Sequence, residues 1–297
     1  MQVNGIRTFV GIGFLVVSGL GFAVNIIIAV AALKDGIDLN TSNAARYFVA
    51  AMILFVYQLI TKRPIIIPPK ERFTAIALGI TVFMMGFGYL GATLYIPVSL
   101  AVLIFYTGPF FILIISRFTE KEPFTMIRLA AFFIAFSGLS LAMGIQTFSG
   151  LHIKGILFAF LAALGMAFWA SISNLIIRTA DSQAVNLHAL SSGTLLFFCF
   201  SFLSDNVVNQ LTQTGLIYLT CSGISLATAY ITFYEGLKII GLVKSSMLLN
   251  IEPIFTIALS VAIFGEQLSL TRFLGAGLVI SGVFLINYKF KSNLQEP

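Results

Sequence analysis

Apolar residues in this chain gather into long unbroken runs separated by short polar stretches, without the every-second-residue alternation of a half-buried strand. Ten runs can be traced, at about residues 8–33, 43–61, 73–95, 98–117, 125–145, 153–177, 185–204, 212–235, 242–264 and 270–288. Each approaches the roughly 20 residues with which an α-helix crosses the hydrocarbon core of a bilayer. Barrel strands are shorter, so the expected elements are helices that satisfy their own backbone groups. The connections are short and leave no room for a soluble domain. The first run follows Arg7 and contains Ala29-Val30-Ala31, which resembles a peptidase site. It is too long for a cleaved signal, so a retained anchor is expected.

The polar residues between the runs carry a second pattern. Displaced by 144 residues, Pro109 meets Pro253, Glu122 meets Glu266, Arg128 meets Arg272, and Ser137-Gly138 meets Ser281-Gly282. The same shift pairs Gly21 with Gly165 and Gly79 with Gly223. Only eight of the 33 positions from Pro109 to Leu141 are identical, yet in a chain with 9% charged residues both a Glu and an Arg recur in register. A duplicated unit is implied, with repeats at 1–146 and 147–297.

Composition fixes the class and charge fixes the orientation. With 59% hydrophobic residues the chain lacks the polar surface of a soluble protein of its length, so an all-α integral membrane protein is expected. A net charge of +6 would suit nucleic acid, but the basic residues stand at span ends and report topology instead. With the N-terminus in the cytoplasm, 13 Lys and Arg lie on the inner side. Only Lys34, Arg46, Lys154 and Arg272 lie outside. Both termini are therefore expected to be cytoplasmic, in a plasma membrane, most simply a bacterial inner membrane. Five spans per repeat then force the second repeat to enter from the opposite side. Two inverted five-helix repeats are the arrangement by which secondary transporters open one central site alternately to either side.

Ten spans, two five-span repeats, and a proline followed by a hydrophobic helix and a Glu (Pro109 to Glu122, Ile251-Glu252-Pro253 to Glu266) resemble the drug/metabolite transporter superfamily, EamA-like branch. The resemblance covers nearly the whole chain. It implies a central cavity lined mainly by the first four helices of each repeat, with the fifth and tenth peripheral, and says almost nothing about substrate.

Candidate chemistry is sparse. In the eighth run Tyr218, Cys221, Ser225, Thr228, Thr232 and Glu235 recur at helical spacing on one face, which suggests a stripe turned toward the cavity; hydroxyls bonding back to the preceding turn are the competing reading. Glu235, at the end of the stripe, also suits a solvated residue paired with Lys238. Glu252 lies about ten residues, or roughly 15 Å, into the ninth run. A carboxylate at that depth needs a partner, a water-filled cavity or a proton. It suits a coupling-proton site or a cation-binding group, with a purely structural hydrogen bond as the alternative. The repeat sharpens the choice: Glu252 corresponds to Gly108, so its charge has no counterpart in the first half. Asn25 and Trp169 occupy equivalent positions, as do Tyr106 and Asn250, and complete the candidate substrate-binding set with Ser225, Thr228, Thr232 and Glu252. Pro109, Glu122, Glu235, Pro253 and Glu266 are expected at gates and helix entrances. Arg46 is expected to snorkel outward from the end of the second span, with anion binding as the other reading.

No Walker loop, HExxH or paired-aspartate motif occurs, and neither metal, cofactor nor nucleic acid is expected. Cys199 and Cys221 read as packing residues. The functional expectation is a secondary active transporter, exporter or exchanger, of a small polar or amphipathic metabolite by alternating access, proton-coupled through Glu252. A gradient-neutral exchanger competes with it. From another class come a flippase for a lipid-linked substrate and a non-transporting membrane assembly factor. The lipid bilayer and a small-molecule substrate are the expected partners, and the sequence leaves a homodimer open.

Overall fold

The structure, a computed structural model, describes residues 2–96, 98–119, 125–142, 152–203, 212–264 and 270–288. These residues form helices α1 (Gln2–Lys34), α2 (Leu39–Thr61), α3 (Pro69–Ala92), α4 (Val98–Phe105), α5 (Gly108–Thr119), α6 (Met126–Ala142), α7 (Ile153–Ile176), α8 (Ser182–Leu203), α9 (Gln213–Ile240), α10 (Leu242–Leu248), α11 (Glu252–Phe264) and α12 (Leu270–Tyr288). Seven segments among them are long and apolar enough to cross a membrane, with shorter apolar helices over Met126–Leu141 and Phe273–Gly282.

The fourth and ninth apolar runs are broken helices, and the breaks fall at equivalent places. The fourth is interrupted at Tyr106-Thr107 between α4 and α5, the ninth by a 3-10 turn over Leu249–Ile251 between α10 and α11. Proline explains both. It has no N–H to give, and its ring collides with the carbonyl four residues back, which is Phe105 for Pro109 and Leu249 for Pro253. The new helix then starts one residue before each proline, at Gly108 and at Glu252, where a missing N–H does no harm.

Helix packing carries the two-fold relation. α1 lies along α9 as α3 lies along α7, α2 crosses α9 as α8 crosses α3, and α2·α8 and α6·α12 pair with themselves. The glycines at the shift of 144 sit at these crossings. A Cβ on Gly21 would lie 3.1 Å from Ser225 O, and one on Gly165 would lie 3.0 Å from Thr81 O, which is the equivalent position. Likewise Gly79 would meet Gly193 N at 2.6 Å while Gly223 would meet Val49 Cβ at 2.5 Å. Without a hydrophobic force between helices in lipid, close backbone approach at small residues holds the repeats together.

The same contacts fix direction. Gly11 faces Ile239 while Gly21 faces Ser225, so α1 and α9 are antiparallel; Gly88 faces Ala162 and Gly165 faces Met84, so α3 and α7 are as well. With α2 returning between α1 and α3, those two helices run in the same sense, so each helix runs opposite to its equivalent in the other half, α1 to α7 and α3 to α9. The fold is an all-α membrane bundle of ten crossing segments in two inverted five-helix repeats. The expected repeat boundary at 146/147 lies outside the described residues, as do Glu122 and Glu266. α6 and α12 pack on each other at the side of the bundle, as the resemblance implied for the fifth and tenth spans.

Candidate functional site

A cavity of about 60 Å³, room for a few water molecules, lies between the repeats. α1 brings Phe22 and Asn25 to it, α2 Arg46 and Tyr47, α3 Tyr89, α7 Met166 and Trp169, α9 Leu226 and Tyr230, and the break in the ninth segment Leu249 and Glu252. Its wall is largely aromatic. Trp169 stands edge-on to Tyr230 at 5.2 Å between centroids, and Tyr230 stands edge-on to Phe22 at 5.3 Å. These rings are rigid and limit what shape the cavity accepts.

Arg46 is the cation of the site, and it does not snorkel. Asp38 caps α2 by accepting from the N–H groups of Asn40 and Thr41, so the helix begins at Leu39, four residues before the apolar run. Arg46 is thus about 10 Å inside the helix rather than at its edge, and only 2% of its surface is exposed. Its Nε and Nη2 donate to Asn43 Oδ1 at 3.2 and 2.6 Å, and Nη1 donates to Asn25 Oδ1 at 3.4 Å. The amides are held in turn: Asn43 Nδ2 donates to Gly86 O at 3.4 Å, and Ser222 Oγ donates to Asn25 Oδ1 at 2.8 Å. The guanidinium also lies 5.1 Å from the centroid of the Tyr47 ring. The hydrogen-bond partners of the guanidinium are all neutral amides. The sequence held a usable signal, since Arg46 corresponds to Leu190 and is as one-sided a charge as Glu252.

Glu252 opens α11 at the break and is 7% exposed. The Leu249 carbonyl, deprived of residue 253 as a donor, accepts the Tyr106 hydroxyl at 3.2 Å. The two breaks are thereby joined across the bundle. In the first repeat the place of the Glu252 side chain is filled: a Cβ on Gly108 would lie 2.9 Å from Met166 Sδ. The scaffold is symmetric while its charges are not.

The structure gathers Asn25, Trp169 and Glu252 around the cavity, with Tyr106 directly behind Glu252. Asn250 is buried in the 3-10 turn and does not line it. The stripe on α9 is a correction. Thr228 is exposed and Thr232 half-buried, and their hydroxyls return to Ile224 O at 3.0 Å and Thr228 O at 2.8 Å; Ser225 Oγ donates to Gly21 O at 2.8 Å. These three hydroxyls satisfy themselves locally or against α1, and the adjacent face carrying Ser222, Leu226 and Tyr230 turns inward instead. Pro109 and Pro253 sit at the helix breaks. Cys199 and Cys221 are exposed rather than packed inside.

Glu235 has a different partner from the one expected. Arg63, just past the end of α2, donates from Nη1 to Glu235 Oε1 at 2.6 Å and lies 4.0 Å from Asp181 Oδ2. Gln183 Nε2 adds a bond to the same Glu235 oxygen at 2.9 Å. Burial works against the Arg63 charge, but the hydrogen bond and charge of Glu235 outweigh it and hold the guanidinium above its ordinary value. This cluster ties the first repeat to the second at one end of the bundle.

Two inverted helical repeats around a small, largely aromatic cavity that carries Arg46 and Glu252 on its wall, with helices broken beside it, are the arrangement of a membrane transporter. The chain belongs to the EamA-like transporter family, whose model matches residues 9–144 and 153–288. The curated relatives agree in class. The "Uncharacterized transporter YoaV" of Bacillus subtilis is 24% identical over 253 residues, covering 82% of this chain and 86% of the relative. An "Uncharacterized transporter" of Methanothermobacter thermautotrophicus is 34% identical over 108 residues, 32% of each chain. A solved structure described as "Crystal structure of protein" superposes with a TM-score of 0.77 over 95% of this chain and 97% of its own, at 16% identity, a likeness of fold.

Proposed function

We propose that the protein is a secondary active transporter that moves a small polar or amphipathic metabolite by alternating access, with Glu252 as the group that takes up and releases a coupling proton. The observation that carries this reading is the position of Glu252: buried, at the break of a discontinuous helix, on the cavity between the repeats, and without counterpart in the first half. The titratable groups around the same cavity are Tyr106 from the first break, Tyr89 from α3, Arg46 and Tyr47 from α2 and Tyr230 from α9, while α1 and α7 bring none to that level. A carboxyl so placed changes charge only when water or substrate reaches it, which is what coupling requires.

The preponderance of Lys and Arg on one side supports cytoplasmic termini and a plasma-membrane location. On that orientation the Arg63–Glu235 cluster lies at the cytoplasmic end and Asp35, which accepts from Thr212 at 2.7 Å, at the outer end. Contacts between repeats at both ends, around a cavity of only a few waters, suit an occluded intermediate of the cycle.

The test uses proteoliposomes loaded with a pH-sensitive dye and exposed in turn to members of a metabolite library. At least one compound drives a proton flux that needs the protein, and Glu252→Gln removes the proton flux while the compound still binds. Retention of proton coupling in that variant rules out the role given to Glu252.

A further inference from the structure

We propose that Arg46, held by Asn43 and Asn25, is a recognition site for a carboxylate group, and that the transported compound is a small carboxylic acid with a flat or apolar body. The proposal rests on the transporter reading above for the word transported, and on the geometry alone for the site.

A guanidinium has five N–H donors in a planar fork. Three are used, one on Nε, one on Nη1 and one on Nη2, all by side-chain amide oxygens. One N–H on each terminal nitrogen is left without a protein acceptor among the described residues, and Arg46 lines the cavity. Two N–H groups on neighbouring nitrogens match the two oxygens of a carboxylate, the pairing for which arginine is suited and lysine is not. No carboxylate of the protein lies within 4.0 Å of the guanidinium among the described residues. Glu252 shares the cavity wall without pairing with it.

The support around Arg46 is what a binding site needs and a structural cation does not. Asn43 is fixed to Gly86 O on α3, and Asn25 is fixed to Ser222 on α9. Four helices from both repeats thus hold one side chain in one orientation before any ligand arrives, which keeps the entropy cost of binding small. The same cavity wall carries Trp169, Tyr230, Phe22 and Phe105, flat and largely apolar surfaces that suit the body of a small acid. At about 60 Å³ the closed cavity takes a carboxylate headgroup and little more, so a body the size of butyrate or benzoate enters only as the site widens.

The sole tryptophan of the chain is Trp169 on the cavity wall, so its fluorescence reports occupancy without a label. Purified protein is titrated with benzoate and butyrate, and with benzamide and butyramide as uncharged partners of the same shape. The acids give a saturable change and the amides bind at least about thirtyfold more weakly, the loss expected when a buried charge keeps no counter-charge. Arg46→Gln loses acid binding by a similar factor with its thermal midpoint preserved, and Arg46→Lys, which keeps the charge and loses the fork, falls between. Should Arg46→Gln fail to fold, the comparison of acids with amides on the unaltered protein still decides. The proposal is overturned by amides that bind as well as acids, by acids that leave Trp169 unchanged, or by a response to inorganic phosphate alone. Uptake of the same acids into proteoliposomes is scored separately. Binding without flux removes the transporter reading and leaves the site, whereas flux that ignores the difference between acid and amide does the reverse.

Discussion

The Tyr106 hydroxyl donates to the Leu249 carbonyl at 3.2 Å, so a side chain from the break in the fourth segment adds a bond to a carbonyl that has lost its helical donor to Pro253 and otherwise accepts only the Glu252 N–H of the 3-10 turn. Hydrogen bonds between membrane helices contribute roughly 0.6 to 1.7 kcal/mol. Tyr106→Phe is therefore expected to lower the thermal unfolding midpoint in detergent by a few degrees only. Its effect on transport is larger, because the two broken segments no longer move as one: turnover falls more than apparent affinity. Equal changes in the two kinetic constants would mean that the bond serves binding alone.

The Arg63–Glu235 pair joins the repeats at one end and must part when the bundle opens there. With the Arg63 side chain 28% exposed, a pair of this kind is worth about 0.5 to 1 kcal/mol, enough to shift a two-state equilibrium roughly two- to fivefold. In a Cys199→Ser, Cys221→Ser background, a reporter cysteine at Met85 on the cavity wall is labelled by an impermeant maleimide. Glu235→Gln raises labelling from the Arg63 end and lowers it from the other. An equal change from both ends would point to loosened packing instead of a gate.

The α9 residues offer an internal comparison. Ser222 Oγ bonds Asn25 Oδ1, the oxygen that also holds Arg46, while Thr232 Oγ1 bonds the preceding turn of its own helix. Ser222→Ala is expected to weaken benzoate binding several-fold through the released Asn25, and Thr232→Val to leave it within about twofold. The reverse order, read by Trp169 fluorescence, would return the cavity to the polar stripe.

That comparison also marks the limit of what the residues disclosed by themselves. Span length and the recurrence of Pro109 and Glu122 at Pro253 and Glu266 were enough for ten crossings and an inverted duplication, because bilayer thickness and symmetry act on whole segments. Periodicity located a polar face on α9 but not which way it points. Ser and Thr hydroxyls return to carbonyls of their own helix, so a stripe of them tolerates lipid, and helix rotation is set by glycine contacts such as Gly223 on Val49. Arg46 was misplaced for a local reason: the Asp38 cap starts α2 four residues before its apolar run and carries the arginine inward. Trp169, Asn25 and Glu252 were legible because the repeat itself sets them apart from their counterparts.

Charge balance gives the last prediction. With Glu252 ionised and Arg46 protonated the empty cavity is neutral, and a bound carboxylate leaves it with one excess negative charge in a low-dielectric site. Uptake of a proton by Glu252 removes the excess, so acid and proton enter together. The other titratable groups around the cavity are Tyr106, Tyr89, Tyr47, Tyr230 and Arg46, and tyrosine and arginine side chains ordinarily change charge only well above the neutral range. The sign follows. Between about pH 6 and 8, where benzoate is itself ionised, its affinity should fall as pH rises, by up to about tenfold per unit for one linked proton. Glu252→Gln, neutral at every pH, should bind benzoate with an affinity independent of pH and close to that of the unaltered protein at the acid end. A pH slope that survives in Glu252→Gln would place the linked proton elsewhere. A slope of the opposite sign would mean that Glu252 stays ionised and serves a cationic group of the substrate.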